Sequence, residues 1–183
     1  GGVLFYASFL FDAVPDGGWF AYVPLTNKEY SPGFGIDFWL LGLNVAEISA
    51  IAGAIEIIIA FFKLRAPGMS LNRVPVFAWA MMITAWMMIF AFTPLIVGST
   101  LLELDRAIGT HFFNPDGGGD PLLWQHVFWI FGHPDVYIMF VPSVGMVSMI
   151  VPVFARRSLI GYIPIVVSLV SIGFLSFGLW VHH

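Results

Sequence analysis

Four long apolar runs dominate the chain, Phe38–Phe62, Pro75–Leu102, Leu122–Ala155 and Tyr162–His183. Each exceeds the roughly 20 residues an α-helix needs to cross the hydrocarbon core of a bilayer. A shorter run, Val3–Phe11, precedes them and is too short to cross. Only 10% of residues are charged, against roughly a quarter in a soluble domain, and 59% are hydrophobic. The apolar residues come in unbroken stretches without an amphipathic rhythm. The predicted fold is therefore all-α, a polytopic transmembrane bundle in which residues 1–183 form part of a single membrane domain. With no cysteine, disulfides, thiolate metal sites and cysteine-attached haem are excluded from these residues. Gly1-Gly2-Val3 enters an apolar stretch without a basic leader, as expected of the interior of a longer protein.

The connectors sort by charge. Lys63–Val74 and Arg156–Gly161 carry Lys63, Arg65, Arg73, Arg156 and Arg157 and no acid. Val14–Asp37 and Glu103–Pro121 carry seven of the acids, with only Lys28 and Arg106 opposing them. Five of the seven basic residues thus lie on alternate loops, as the positive-inside rule expects for loops facing the cytoplasm or matrix. Trp19, Phe20, Tyr22, Phe112 and Phe113 near the outer ends suit an interfacial aromatic belt. Met81-Met82 and Met87-Met88 read as packing or lipid-facing residues.

Three acids interrupt the spans: Glu47, Glu56 and Asp135. Each costs at least ~2.5 kcal/mol in lipid unless paired or hydrated, which makes each a functional candidate. Glu47 and Glu56 are separated by about 900° of helical rotation, which puts them on opposite faces with separate roles.

His133, His182 and His183 also lie inside apolar spans, whereas His111 and His126 read as loop or interfacial side chains. His133 and His182 stand equally far in sequence from the connector centred on Arg157-Ser158. That separation is about 36 Å along a straight helix on either side, so an antiparallel hairpin brings them to one depth. Imidazoles in a dry interior suit copper, zinc or iron, and no thiolate competes for a softer metal. Coincidence of depth is the competing reading of the spacing.

Pro134 leaves the carbonyl of Ile130 without its helical donor and predicts a kink beside His133. Tyr137 follows His133 by four residues, on the same face one turn along. Ser148 lies three turns further, about 20° off that face, and could hand protons toward the phenol. An ordinary buried tyrosine, and a serine bonded to its own helix, are the alternatives.

At these residues the chain resembles a known family. Trp124-Gln125-His126 through Trp129-Ile130-Phe131-Gly132-His133-Pro134-Asp135-Val136-Tyr137 is similar to the W/Y-Q-H-x-F-W-x-F-G-H-P-E-V-Y signature of haem–copper oxygen reductase subunit I. Trp180-Val181-His182-His183 matches its W-x-H-H at the family's separation. Leu64-Arg65-Ala66-Pro67-Gly68-Met69, Gly117-Gly118-Gly119-Asp120-Pro121 and Phe154-Ala155-Arg156-Arg157 extend the resemblance over the whole chain.

The resemblance implies the end of span three through span seven of about twelve. It implies that His133, His182 and His183 ligate copper B, that Tyr137 is covalently joined to the His133 ring, and that Trp129 and Trp180 wall the site. Trp19 would stand near a haem propionate, and Ser148 would belong to the proton channel ending at Tyr137. High-spin and low-spin haem are implied as cofactors, with ligands outside these residues. The implied reaction is the reduction of oxygen to water coupled to proton pumping in a cytochrome c oxidase. Subunits II and III, cytochrome c and the lipid bilayer are the implied partners, with no nucleic acid. A bacterial plasma membrane or the mitochondrial inner membrane is the expected location. Without the remaining spans the piece is expected to hold no haem and to be inactive.

Two departures stand out. Asp135 replaces the usual glutamate of the proton relay, with a reach one methylene shorter. Ser49 fits a channel serine, but Ala50 and Glu56 stand where serine and asparagine are usual. This predicts altered proton delivery in which Glu56 takes part. Phe131-Gly132, in place of a Tyr-Ser pair, sides with the acid-bearing branch. A quinol oxidase shares the same motifs. Nitric oxide reductases lack the tyrosine at the Tyr137 position, and a non-catalytic transport or structural bundle leaves the histidines unexplained.

Overall fold

Backbone groups in lipid must find their partners within the chain, which favours long uninterrupted helices. The computed structural model, which describes all 183 residues, contains helices and 3-10 turns and no strand. A short α1 spans Gly2–Leu10; the long helices are α2 (Gly35–Lys63), α3 (Val76–Ile108), α4 (Pro121–Ala155) and α5 (Tyr162–Gly178). A 3-10 turn over Leu179–His182 prolongs α5. With it, all four long helices have the length and apolarity to cross a membrane.

The helix ends follow from local chemistry. Asp37 lies in the first turn of α2 and Lys63 in its last, each at the pole of the helix dipole that attracts its charge. The Asp120 carboxylate accepts from the Leu122 amide at 2.8 Å, and Pro121 opens α4 where a missing N–H costs nothing. Asn114 caps the 3-10 turn Pro115–Gly117, which Gly118 ends at φ +87°, a conformation that favours glycine. Pro94 lies inside α3, and Pro134, Pro142 and Pro152 lie inside α4, where each removes one backbone donor.

Two boundaries differ from the apolar pattern. Helix α3 runs past Leu102 to Ile108 and takes in Glu103, Asp105 and Arg106, while α2 takes in Asp37. Hydropathy alone assigns these residues to loops. Three of them find polar partners there: Arg106 bonds Asp37, and Asp105 accepts from Thr110 Oγ1 and from the amides of Phe112 and Phe113.

The residues group into two compact units. The first comprises Gly1–Ser49, Phe92–Ile130 and His183; the second comprises Ala50–Ala91 and Phe131–His182.

In the first unit α3 buries Leu95, Ser99, Leu102 and Arg106 along one stripe, and α2 buries Ile36, Leu40 and Glu47. The loop after α1 is tied down by polar bonds. Thr26 donates to the Ala21 carbonyl at 3.0 Å, and Ser31 donates to the Leu25 carbonyl at 2.9 Å and to Asp16 at 3.2 Å. Phe113 is fully buried and meets Trp124 edge-on, with ring centroids 5.6 Å apart. It is therefore an interior residue of this unit and not part of an exposed aromatic belt.

In the second unit Phe61, Val74, Val76, Ala80, Ile83, Met87, Val141 and Leu169 form an apolar core. Met82 and Met87 lie in that core, as packing residues. Gly145 permits a close approach within this unit: a Cβ there would come within 2.5 Å of the Ala80 Cβ. Near the core the Trp79 indole donates to Tyr162 Oη at 3.0 Å, and that hydroxyl donates to the Val74 carbonyl at 2.5 Å.

Candidate metal centre and buried acids

The residues expected to carry chemistry fall into three groups. The first belongs to the second unit and centres on α4. The ring of His133 lies 4.9 Å from that of Tyr137, tilted by 39°, as the four-residue spacing on one helical face requires. Pro134 is buried beside them, and Tyr137 packs against the apolar core. Asp135 and Ser148 are half-buried. The Ser148 hydroxyl donates to the Val144 carbonyl at 2.7 Å, so its proton is engaged by its own helix. His182, exposed at the end of the 3-10 turn, and Trp180, whose buried indole nitrogen lacks a hydrogen-bond partner, belong to the same unit.

The second group belongs to the first unit. The His183 ring stacks on Trp129 with centroids 4.1 Å apart and planes 11° from parallel. The Trp129 indole donates to Tyr22 Oη at 2.5 Å, and Trp19 meets Trp129 edge-on at 5.6 Å. Trp19 also packs on Phe128, at 5.2 Å. The Trp124 indole donates to the Phe20 carbonyl at 2.9 Å, which anchors the loop bearing these aromatics.

The structure shows no group of three or more His, Asp or Glu side chains that could hold a metal ion. The donor chemistry nevertheless fits copper: imidazole nitrogens, tryptophan neighbours and no thiolate.

The acids of α2 form the third group. Glu47 is 5% exposed, and neither carboxylate oxygen has a hydrogen-bond partner. Glu56 and Ser49 are exposed on this chain.

Other polar features escaped the sequence reading. Arg106 is 5% exposed and bonds Asp37 at 2.7 Å and 3.0 Å, the carbonyls of Ser31 and Gly33 at 3.1 Å and 2.8 Å, and the carbonyl of Thr26. Ser99 donates to Asn44 Oδ1 at 2.5 Å. The signal for the first was an isolated arginine in an otherwise acidic connector; the second left no signal beyond small polar residues in an apolar run.

Four membrane-crossing helices and the relatives of this chain make it a multi-pass membrane protein of a plasma membrane or inner membrane. The chain belongs to the family described as cytochrome c and quinol oxidase polypeptide I, which matches over residues 1–183. These are haem–copper terminal oxidases, oxidoreductases of the respiratory chain. Cytochrome c oxidase subunit 1 of Bacillus subtilis is 44% identical over all 183 residues, and that of Alkalihalophilus pseudofirmus is 46% identical over the same length. Quinol oxidase subunit 1 of Bacillus spizizenii is 43% identical over the whole chain. The chain spans 29% of the length of the first two relatives and 28% of the third.

Proposed function

We propose that the chain is part of the catalytic subunit of a proton-pumping cytochrome c oxidase that reduces oxygen to water. The observation that carries this reading is the His133–Tyr137 ring pair, 4.9 Å between centroids beside an apolar core. When bound, copper and haem supply the electrons for oxygen reduction.

His133, His182 and His183 would hold copper B, with Trp129 and Trp180 as walls and Trp19 beside a haem propionate. Both haems would take their ligands from residues outside this chain. The Tyr137 hydroxyl would supply a proton beside the His133 ring. Asp135, on the next residue but one after His133, would relay protons across the shorter reach of its side chain. Ser148 would pass protons toward Tyr137 by rotating away from the Val144 carbonyl. Ser49 and Glu56 on α2 would serve the inward supply, consistent with exposed positions that leave them open to other spans of the subunit. Subunits II and III, cytochrome c and bilayer lipid are the partners this reading entails.

The quinol reading has a specific support, since relatives of both names match at nearly equal identity. The complete complex, purified and supplied in turn with reduced cytochrome c and with a quinol, tests both. Oxygen uptake driven by cytochrome c supports the oxidase proposed here, uptake driven by quinol alone transfers the proposal to the quinol oxidases, and uptake with neither refutes both.

A further inference from the structure

Glu47 has no task in the scheme above, although it is the most deeply buried carboxyl group of the chain. Neither of its oxygens has a hydrogen-bond partner. The polar groups nearest in sequence and fold lead in one direction. Asn44 sits one turn before Glu47 on α2, toward the outer end, where i and i+3 side chains are neighbours. Its Oδ1 accepts from the fully buried Ser99 hydroxyl at 2.5 Å, and its Nδ2 reaches Thr100 Oγ1 at 3.5 Å.

One turn beyond Ser99 on α3 stands Glu103, whose Oε2 is buried without a hydrogen-bond partner. Glu103 lies within the fields of Asp37, Arg106 and Lys28. Arg106 and Lys28 bond Asp37 at 2.7 Å and 3.1 Å, and the Lys28 side chain is 38% exposed. Amide, hydroxyl and carboxyl groups thus succeed one another between α2 and α3, from a buried acid to the outer surface. Two of them, at the inner end and near the outer end, have buried oxygens free to accept.

We propose that Glu47 is a proton-carrying carboxyl group at the inner end of a proton-release route that runs between α2 and α3 to the outer face. The proposal rests on the proton-pumping reading above. In the transfer step the Glu47 carboxylic acid gives its proton to a neighbouring water and becomes a carboxylate. The proton moves along water lined by the Asn44 amide and the Ser99 hydroxyl to the Glu103 carboxylate and from there to outside water. A proton arriving at Glu47 then restores the acid.

This role differs from the inward supply assigned to Glu56, which is exposed.

The test uses the complete oxidase in sealed vesicles, with external acidification measured per oxygen consumed and infrared difference spectra recorded on a pH jump. Glu47→Gln should at least halve the acidification ratio and remove one carboxyl C=O band. Glu47→Asp should restore part of both. Glu103→Gln and Ser99→Ala should lower the ratio while the Glu47 band persists. An unchanged ratio and an unchanged band in Glu47→Gln overturn the proposal. If that variant fails to assemble, unchanged ratios in both Glu103→Gln and Ser99→Ala overturn it instead. Absence of oxygen uptake by the unaltered complex defeats the oxidase reading alone, because the pH-jump band of Glu47 needs no turnover.

Discussion

The guanidinium of Arg106 grips the carboxylate of Asp37 with two hydrogen bonds, Nε to Oδ1 at 2.7 Å and Nη2 to Oδ2 at 3.0 Å. The pair joins the end of α3 to the start of α2, and the remaining donors of the same side chain bind three loop carbonyls. A planar fork matches this arrangement and a point charge does not. Removing one partner of such a buried pair costs roughly 3–5 kcal/mol. Arg106→Ala should therefore lower the thermal midpoint of the complex sharply, and Arg106→Lys should recover only part of the loss. A midpoint equal to that of the unaltered protein would show that the clasp is not stabilising.

Tyr137 can be separated from its shape. Tyr137→Phe keeps the ring against the core and against His133 and removes only the hydroxyl. Loss of a positioned proton donor lowers rates by about 10²-fold or more. Oxygen uptake by the complex should fall by that order while its haem absorption persists. Retained uptake would remove Tyr137 from the chemistry.

Copper content tests the histidines apart from turnover. Replacing any one of His133, His182 or His183 by alanine should lower bound copper in the purified complex, measured by elemental analysis. Equal copper in all three variants would contradict the assignment. Peptide mapping of the unaltered complex should also recover His133 and Tyr137 as a covalently joined species, as their 4.9 Å approach allows.

Gly145 has a packing role that a single methyl group can test. In Gly145→Ala the new Cβ would meet the Ala80 Cβ at 2.5 Å and the Phe77 Cα at 3.3 Å. Both neighbours are parts of another helix, so relief requires backbone movement. Overpacking of this kind costs about 1–3 kcal/mol, and a thermal scan should show the loss.

Glu56 is expected to join the inward proton supply. Glu56→Gln in the complete enzyme should slow turnover and reduce protons pumped per electron. Unchanged values for both would leave Glu56 as an exposed acid of α2 without a part in proton delivery.

Much of this protein was legible in the residues alone. Lipid offers no partner for a backbone amide, so apolar runs of sufficient length had to become helices, and four did, with ends within a few residues of the runs. The His133–Tyr137 neighbourhood also follows from spacing, because one helix fixes the geometry of residues four apart. Family membership was readable for the same reason, since its motifs are contiguous. The tertiary structure decided what depends on several elements at once. Arg106 looked like a loop charge until Asp37 and three carbonyls surrounded it, and Phe113 looked interfacial until Trp124 covered it. The His183 ring stacks on Trp129, a contact that no spacing within one helix fixes. Sequence thus settled which segments enter the membrane, through the one-dimensional cost of unpaired backbone. Folding alone chose the partners of the polar side chains, because those partners lie far away along the chain.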